Sequence, residues 1–324
     1  MLTMTKLRLL VQHLSFLILT YGSSAKIFLG YSIPCFSCPF VYTCSGHCYL
    51  MMLQRQFGSL FVPLVTAAPE LAEEATARVL ANLGNIATGF GIFALLVILL
   101  GKTWCGWICP FGLIQDWLTM LRQKLGIREA EMSETLKRRL SWIKYLLLGY
   151  LVLVPMLASA RLISSEFVLA FCHICPGKSL MPLFNGLTRN LALEVSSPAA
   201  MALSLILLTV TGGMLVGMFV KERFFCLFCP MLALMNLLKR FHLLRLVKEP
   251  HACRGCGNCR RSCFSDIETV YRQKTDCDVY DPDCMACFKC AEHCDADTAL
   301  KVKFGPFPWI SPFRSLGCFT ITKS

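Results

Sequence analysis

Eight of the twenty cysteines in this 324-residue chain fall into two runs of one spacing. They are Cys253-x2-Cys256-x2-Cys259-x3-Cys263 and Cys284-x2-Cys287-x2-Cys290-x3-Cys294. Three thiolates close together on a tight loop can each take one iron of a [4Fe-4S] cube. In two-cluster ferredoxins the fourth cysteine of each run ligates the other cluster. The spacing therefore assigns Cys253, Cys256, Cys259 and Cys294 to one cluster, and Cys284, Cys287, Cys290 and Cys263 to the other. Gly255 and Gly257 let the first loop close tightly. Zinc knuckles do not repeat this 2-2-3 spacing, and a reducing cytosolic face disfavours disulfides. Phe264 and Asp295 stand where proline usually follows the fourth cysteine.

A second kind of motif recurs in the apolar part of the chain: Cys35-x2-Cys38-Pro39, Cys105-x3-Cys109-Pro110, Cys172-x2-Cys175-Pro176 and Cys226-x2-Cys229-Pro230. Proline is well placed in the first turn of a helix. A helix beginning there points its positive end at the preceding cysteines, which favours an anionic thiolate cluster. Two such pairs make one four-thiolate site. The inner quartet is Cys105, Cys109, Cys226 and Cys229, with a structural zinc ion as the alternative. The outer quartet is Cys35, Cys38, Cys172 and Cys175, with two disulfides as the alternative. Cys44 and Cys48, either side of His47, are further candidates for outer ligands or a disulfide. No Cys-x-x-Cys-His is present, which excludes covalent c-type haem. Cys277 and Cys318 read as bystanders.

These motifs need elements to hold them. The chain is 55% hydrophobic and only 16% charged, with a mean hydropathy of +0.57. An average soluble domain is about 25% charged, so a membrane domain is expected. Spanning helices need about 20 apolar residues. Four stretches qualify: Leu7 to Leu29, Gly84 to Leu100, Trp142 to Ile163 and Ala199 to Val220. The first also resembles a signal peptide ending at Ser23-Ser24-Ala25, but we read it as a retained span. One Cys-Pro motif follows each stretch, which suggests a duplicated two-helix unit.

Orientation follows from the basic residues of short loops. Arg122 to Lys144 holds seven and Lys221 to Pro250 holds six, whereas Gly30 to Leu83 has only Arg55 and Arg78. Both termini are therefore expected to be cytoplasmic in a multi-pass plasma (inner) membrane protein. The net charge of +12 is this positive-inside collar. The tail from His251 to Lys303 has eight basic and nine acidic residues, so it offers no basic face for nucleic acid. The expected fold class is mainly α: four transmembrane helices in residues 1–250, a small α+β two-cluster ferredoxin domain in 251–303, and a tail, 304–324.

Taken together, these features resemble the NapH/MauN/CcoG group of membrane polyferredoxins. The motif Trp104-Cys105-Gly106-Trp107-Ile108-Cys109-Pro110, the second Cys-Pro pair after the fourth stretch and the C-terminal ferredoxin run carry the resemblance. It implies that Cys105, Cys109, Cys226, Cys229 and the eight ferredoxin cysteines are the functional residues. The NapH type is the quinol-linked accessory protein of periplasmic nitrate reduction. This chain departs in having two residues, not three, inside the second inner pair, and in carrying the outer pairs.

No dinucleotide or Walker motif is present, and the spans carry no central carboxylate of the kind that marks ion paths. The expected function is transmembrane electron transfer. It would use four [4Fe-4S] clusters and exchange with a quinone or a redox partner subunit of a membrane oxidoreductase complex. An alternative is an accessory protein that reduces or matures a copper centre of a partner, with His47, Met51 and Met52 as soft outer ligands.

Overall fold

The computed structural model describes residues 4–21, 32–34, 48–66, 72–188, 191–193, 195–273, 279, 281–296 and 299–305. Cys35, Cys38, Cys44, His47, Cys277 and Cys318 lie outside these residues.

The described chain is mostly helical, and long helices alternate with short ones. The elements are α1 (Met4–Tyr21), α2 (Tyr49–Gly58), α3 (Ala72–Leu100), α4 (Pro110–Lys124), α5 (Glu134–Ser159), α6 (Pro176–Leu180), α7 (Pro198–Val220) and α8 (Pro230–Leu237). The short helices α2, α4, α6 and α8 each start directly after a cysteine in extended backbone: Cys48, Cys109, Cys175 and Cys229. Proline opens α4, α6 and α8, where its missing N–H costs nothing. Tyr49 takes that place in α2. The Ser133 hydroxyl caps α5 by accepting from the Leu136 amide, a contact worth about 1 kcal/mol.

Among the described residues, three helices are long and apolar enough to cross a membrane: Ala72–Leu100, Glu134–Ser159 and Met201–Val220. Their outward faces carry exposed Leu80, Leu95, Leu146, Leu153, Leu205 and Val216. An apolar exterior of this extent suits lipid better than water. Helix α1 does not reach the same apolarity, because Lys6, Arg8, Gln12 and His13 interrupt it. It is nonetheless built the same way. Leu7, Leu10, Leu14 and Leu17 are exposed, while Arg8, Gln12 and Phe16 are buried.

After α8 the chain forms strand β1 (Leu244–Lys248), which pairs antiparallel with β2 (Leu300–Phe304) in the register Leu246↔Val302. This ribbon closes a small second core of Leu246, Ile267, Val270, Phe288 and Leu300, packed against Cys259, Cys263, Cys290 and Cys294. The ferredoxin motifs thus share one sheet whose first strand precedes residue 251.

Candidate iron–sulfur sites and their junction

The two ferredoxin runs adopt the same loop. In the first, Gly255 and Gly257 are left-handed (φ +70° and +77°). In the second, Ala286 and Phe288 occupy the equivalent places at φ +50° and +59°. The short helices Asn258–Arg261 and Lys289–Glu292 follow Gly257 and Phe288 directly. Left-handed backbone costs a non-glycine residue about 1–2 kcal/mol, so the second loop stores strain that the first avoids. Ala286→Gly should stabilise the ferredoxin domain by roughly 1 kcal/mol or less, since glycine's unfolded-state entropy offsets part of the gain. Gly255→Ala should do the opposite. Thermal bleaching of the purified protein reads both, and a shift in the same direction for both would refute equivalent loops.

Cys253, Cys256, Cys259 and Cys294 line one small cavity, together with Gly257 and Tyr271. Cys263 and Cys290 are electrostatic neighbours of Cys287, as is Cys284. Burial pushes the thiols of Cys263 up to about 11 and of Cys284 up to about 12. Such thiols keep their protons at neutral pH unless a metal displaces them.

Cys105, Cys109, Cys226 and Cys229 lie near one another. Cys105 lies in a π-helical turn, Trp104–Ile108, with Cys109 just beyond it. Its electrostatic neighbours are Cys109, Cys226 and Cys229. Gln115 on α4 bonds to the second pair twice. Its Oε1 accepts from the Phe225 amide at 3.2 Å, and its Nε2 donates to Cys226 Sγ at 3.7 Å. Among the described residues no two cysteines are joined in a disulfide.

Among the described residues, no three Cys, His, Asp or Glu side chains converge closely enough for a single metal ion. A cube takes one thiolate per iron and spaces its ligands more widely. The donor sets brought together among the described residues, Cys253, Cys256, Cys259 and Cys294 around one cavity and Cys105 with Cys109, Cys226 and Cys229 as neighbours, are all cysteine, which suits the cube.

The second ferredoxin loop sits directly on the inner Cys-Pro loop. A Cβ added to Gly106 would lie 2.6 Å from the Met285 carbonyl oxygen and 3.4 Å from Cys287 Cα. The Trp107 indole N–H donates to the Ala286 carbonyl at 3.1 Å. Gln12 on α1 donates to the Gly106 carbonyl from the other side. Lysines strap the ferredoxin domain to the bundle. Lys144 pairs with Asp283, Lys221 pairs with Asp266, and Lys137 donates to the carbonyls of Ser265 and Asp266. Part of the basic collar read from sequence is therefore a docking surface.

A buried charge cluster fills the same junction. Asp116 Oδ2 pairs with Arg223 at 2.7 Å and with Arg8 at 3.2 Å, and all three side chains are less than a tenth exposed. Both guanidinium groups lie over the Phe264 ring, at 4.5 Å for Arg8 and 5.9 Å for Arg223, and Lys289 lies over it at 4.3 Å. Phe264, the residue that departs from the usual proline, thus serves the domain junction. Sequence reasoning missed Arg8, Asp116, Arg223, Gln54 and Gln115. A charged residue inside an apolar helix was the available signal for Arg8, and a glutamine six residues after a cysteine was the signal for the other two sites.

Of the outer cysteines, Cys172 and Cys175 are buried in the bundle core, and so is Cys48. Met51 belongs to that core and Met52 packs against it, so the Met-Met pair fills space.

Apolar helices that carry Cys-Pro motifs, with a ferredoxin-type cysteine segment docked on them, give the described fold the pattern of a ferredoxin-type protein. Comparison with known proteins agrees. A 4Fe-4S binding domain model matches twice, over residues 84–128 and 202–248. These segments contain the inner pairs Cys105/Cys109 and Cys226/Cys229. YccM of Escherichia coli K12, whose name assigns it to electron transport, is 24% identical over 210 residues, covering 64% of this chain and 53% of YccM. The ferredoxin-type protein NapH of Haemophilus influenzae is 37% identical over 84 residues, covering 25% of this chain and 29% of NapH. The methylamine utilization ferredoxin-type protein MauN of Paracoccus denitrificans is 27% identical over 175 residues, covering 53% and 51%. The chain thus spans about half the length of YccM. No solved structure matches it. These relatives bear out the resemblance to NapH/MauN-type polyferredoxins.

Proposed function

We propose that this protein transfers electrons between a cytoplasmic ferredoxin domain and sites inside the membrane, and exchanges them with a quinone or a redox partner subunit. In this reading α1 is the fourth span, both termini are cytoplasmic, and the ferredoxin domain extends beyond 251–303 to take in β1 and the end of β2, with the membrane domain before it and the tail after it. Two [4Fe-4S] sites belong to the ferredoxin domain. A third is formed by Cys105, Cys109, Cys226 and Cys229. A fourth is built on Cys172 and Cys175 and completed by cysteines of the first loop. Bound at these sites, cubanes supply one-electron carriers.

The observation that carries the reading is the seat of Met285–Cys287 on Gly106, which brings a ferredoxin loop into backbone contact with a membrane loop. Arg223 supports it as an electrostatic neighbour of Cys109, Cys226 and Cys287 at once. A fixed cation between two anionic sites eases the placing of negative charge on either. The copper-maturing alternative rests on Met51 and Met52, whose packing already accounts for them.

Iron analysis tests the reading. Protein purified without oxygen should carry about 16 iron and 16 sulfide per chain, four of each per cubane. About eight of each would leave only the ferredoxin pair and overturn membrane sites.

A further inference from the structure

Gln54 on α2 reproduces, atom for atom, what Gln115 does on α4. Its Oε1 accepts from the Phe171 amide at 3.2 Å, and its Nε2 donates to Cys172 Sγ at 3.1 Å. Gln115 makes the same two bonds to Phe225 and Cys226. The sequence carries the match. Phe171-Cys172-x2-Cys175-Pro176 parallels Phe225-Cys226-x2-Cys229-Pro230, and Gln54 follows Cys48 by six residues, as Gln115 follows Cys109. Cys44 also precedes Cys48 by four, as Cys105 precedes Cys109. The first loop therefore holds a Cys-x3-Cys-x5-Gln element like that of the inner site, with Tyr49 in place of proline.

Helix packing obeys the same correspondence. Exchange α1 with α3, α2 with α4, α5 with α7, and α6 with α8. The contact of α2 on α5 becomes that of α4 on α7, α2 on α3 becomes α4 on α1, and α6 on α7 becomes α8 on α5. All six pairings are present. Such an exchange relates repeats of inverted topology, which place their sites at the repeat interface near mid-depth.

We propose that Cys48, rather than Cys35 or Cys38, joins Cys172 and Cys175 in an outer thiolate site for an iron–sulfur cluster, with Gln54 donating to one ligand sulfur. Cys48 is the counterpart of Cys109, stands in extended backbone just before α2 as Cys109 does before α4, and is buried with Cys172 and Cys175 in one core. The site is not at the far membrane face. Tyr49 stacks on Phe93 at 4.5 Å, seven residues, or about 10 Å of helix, before the end of α3. Cys48 counts both Cys172 and Cys109 among its electrostatic neighbours, so the outer site adjoins the inner one.

The inference rests on the cluster reading of the membrane domain, and the test separates the two. Iron is counted and reduced clusters are resolved by electron paramagnetic resonance in the full-length protein. Cys48→Ser should lower iron from about 16 to about 12 and remove one signal, leaving the ferredoxin signals, while Cys35→Ser and Cys38→Ser keep about 16. Cys109→Ser should remove a different signal. Loss of iron in Cys35→Ser or Cys38→Ser with none in Cys48→Ser overturns the assignment. A wild-type value near eight overturns the underlying reading instead. Gln54→Leu provides a variant that keeps every ligand. With one hydrogen bond to a ligand sulfur removed, it should retain iron and move one potential to a more negative value, and Gln115→Leu should move another. Unchanged potentials in Gln54→Leu would separate Gln54, and with it this site, from any cluster.

Discussion

Asp116→Asn should be among the most destabilising single substitutions in the bundle, costing about 3–5 kcal/mol. Asp116 is the shared anion between Arg8 and Arg223, at 3.2 and 2.7 Å, in a place closed to water. Asparagine keeps hydrogen-bonding atoms but removes the charge, so two buried guanidinium groups face each other uncompensated. The loss should be felt along the whole junction, because Arg223 also donates to the Cys105 carbonyl and both arginines hold the Phe264 ring. Arg78→Ala provides the contrast. It breaks the Arg78–Glu74 pair, whose side chains are 69% and 56% exposed, and exposed pairs contribute roughly 0–1 kcal/mol. Heat-induced loss of ferredoxin absorbance, compared between the two variants, reads the difference. A change for Asp116→Asn as small as that for Arg78→Ala would mean the cluster of charges is solvated.

The ferredoxin cysteines and the inner Cys-Pro pairs were legible because their chemistry fixes residue type and spacing at short range. Three long apolar helices were legible because lipid selects composition. The remaining features depend on contacts between distant segments. Arg8 looked like a blemish in an apolar stretch, and its partner Asp116 stands 108 residues away. Lys137, Lys144 and Lys221 read as collar charges because the sequence cannot show that Ser265, Asp266 and Asp283 lie under them. The depth of the thiols was also hidden. Counting spans places the Cys-Pro pairs at the two ends of a layer about 30 Å thick. The short helices after the cysteines pack among the long ones, and Cys48, Cys172, Cys175 and Cys229 are buried in the bundle core.

Gly106→Ala should keep the iron and slow the transfer of electrons between the ferredoxin domain and the membrane sites. The new methyl group would meet the Met285 carbonyl oxygen at 2.6 Å and Cys287 Cα at 3.4 Å. Neither is the free end of a flexible side chain, so the second ferredoxin loop must lift. Overpacking of this kind costs about 1–3 kcal/mol. Because about 1.4 kcal/mol is a factor of ten, the docked arrangement should lose roughly one to two orders of magnitude in its equilibrium. The lysine straps and the Asp116 cluster lie outside this contact, so the domain stays tethered, and none of its eight cysteines is replaced. Rapid mixing with a soluble low-potential reductant should then reduce the ferredoxin signals at the normal rate and the inner signal more slowly. Gly149→Ala is the control, since an added Cβ there meets nothing within 4 Å. If both variants pass electrons inward as fast as the parent protein, the Gly106 contact is packing alone and the electron path crosses the junction elsewhere.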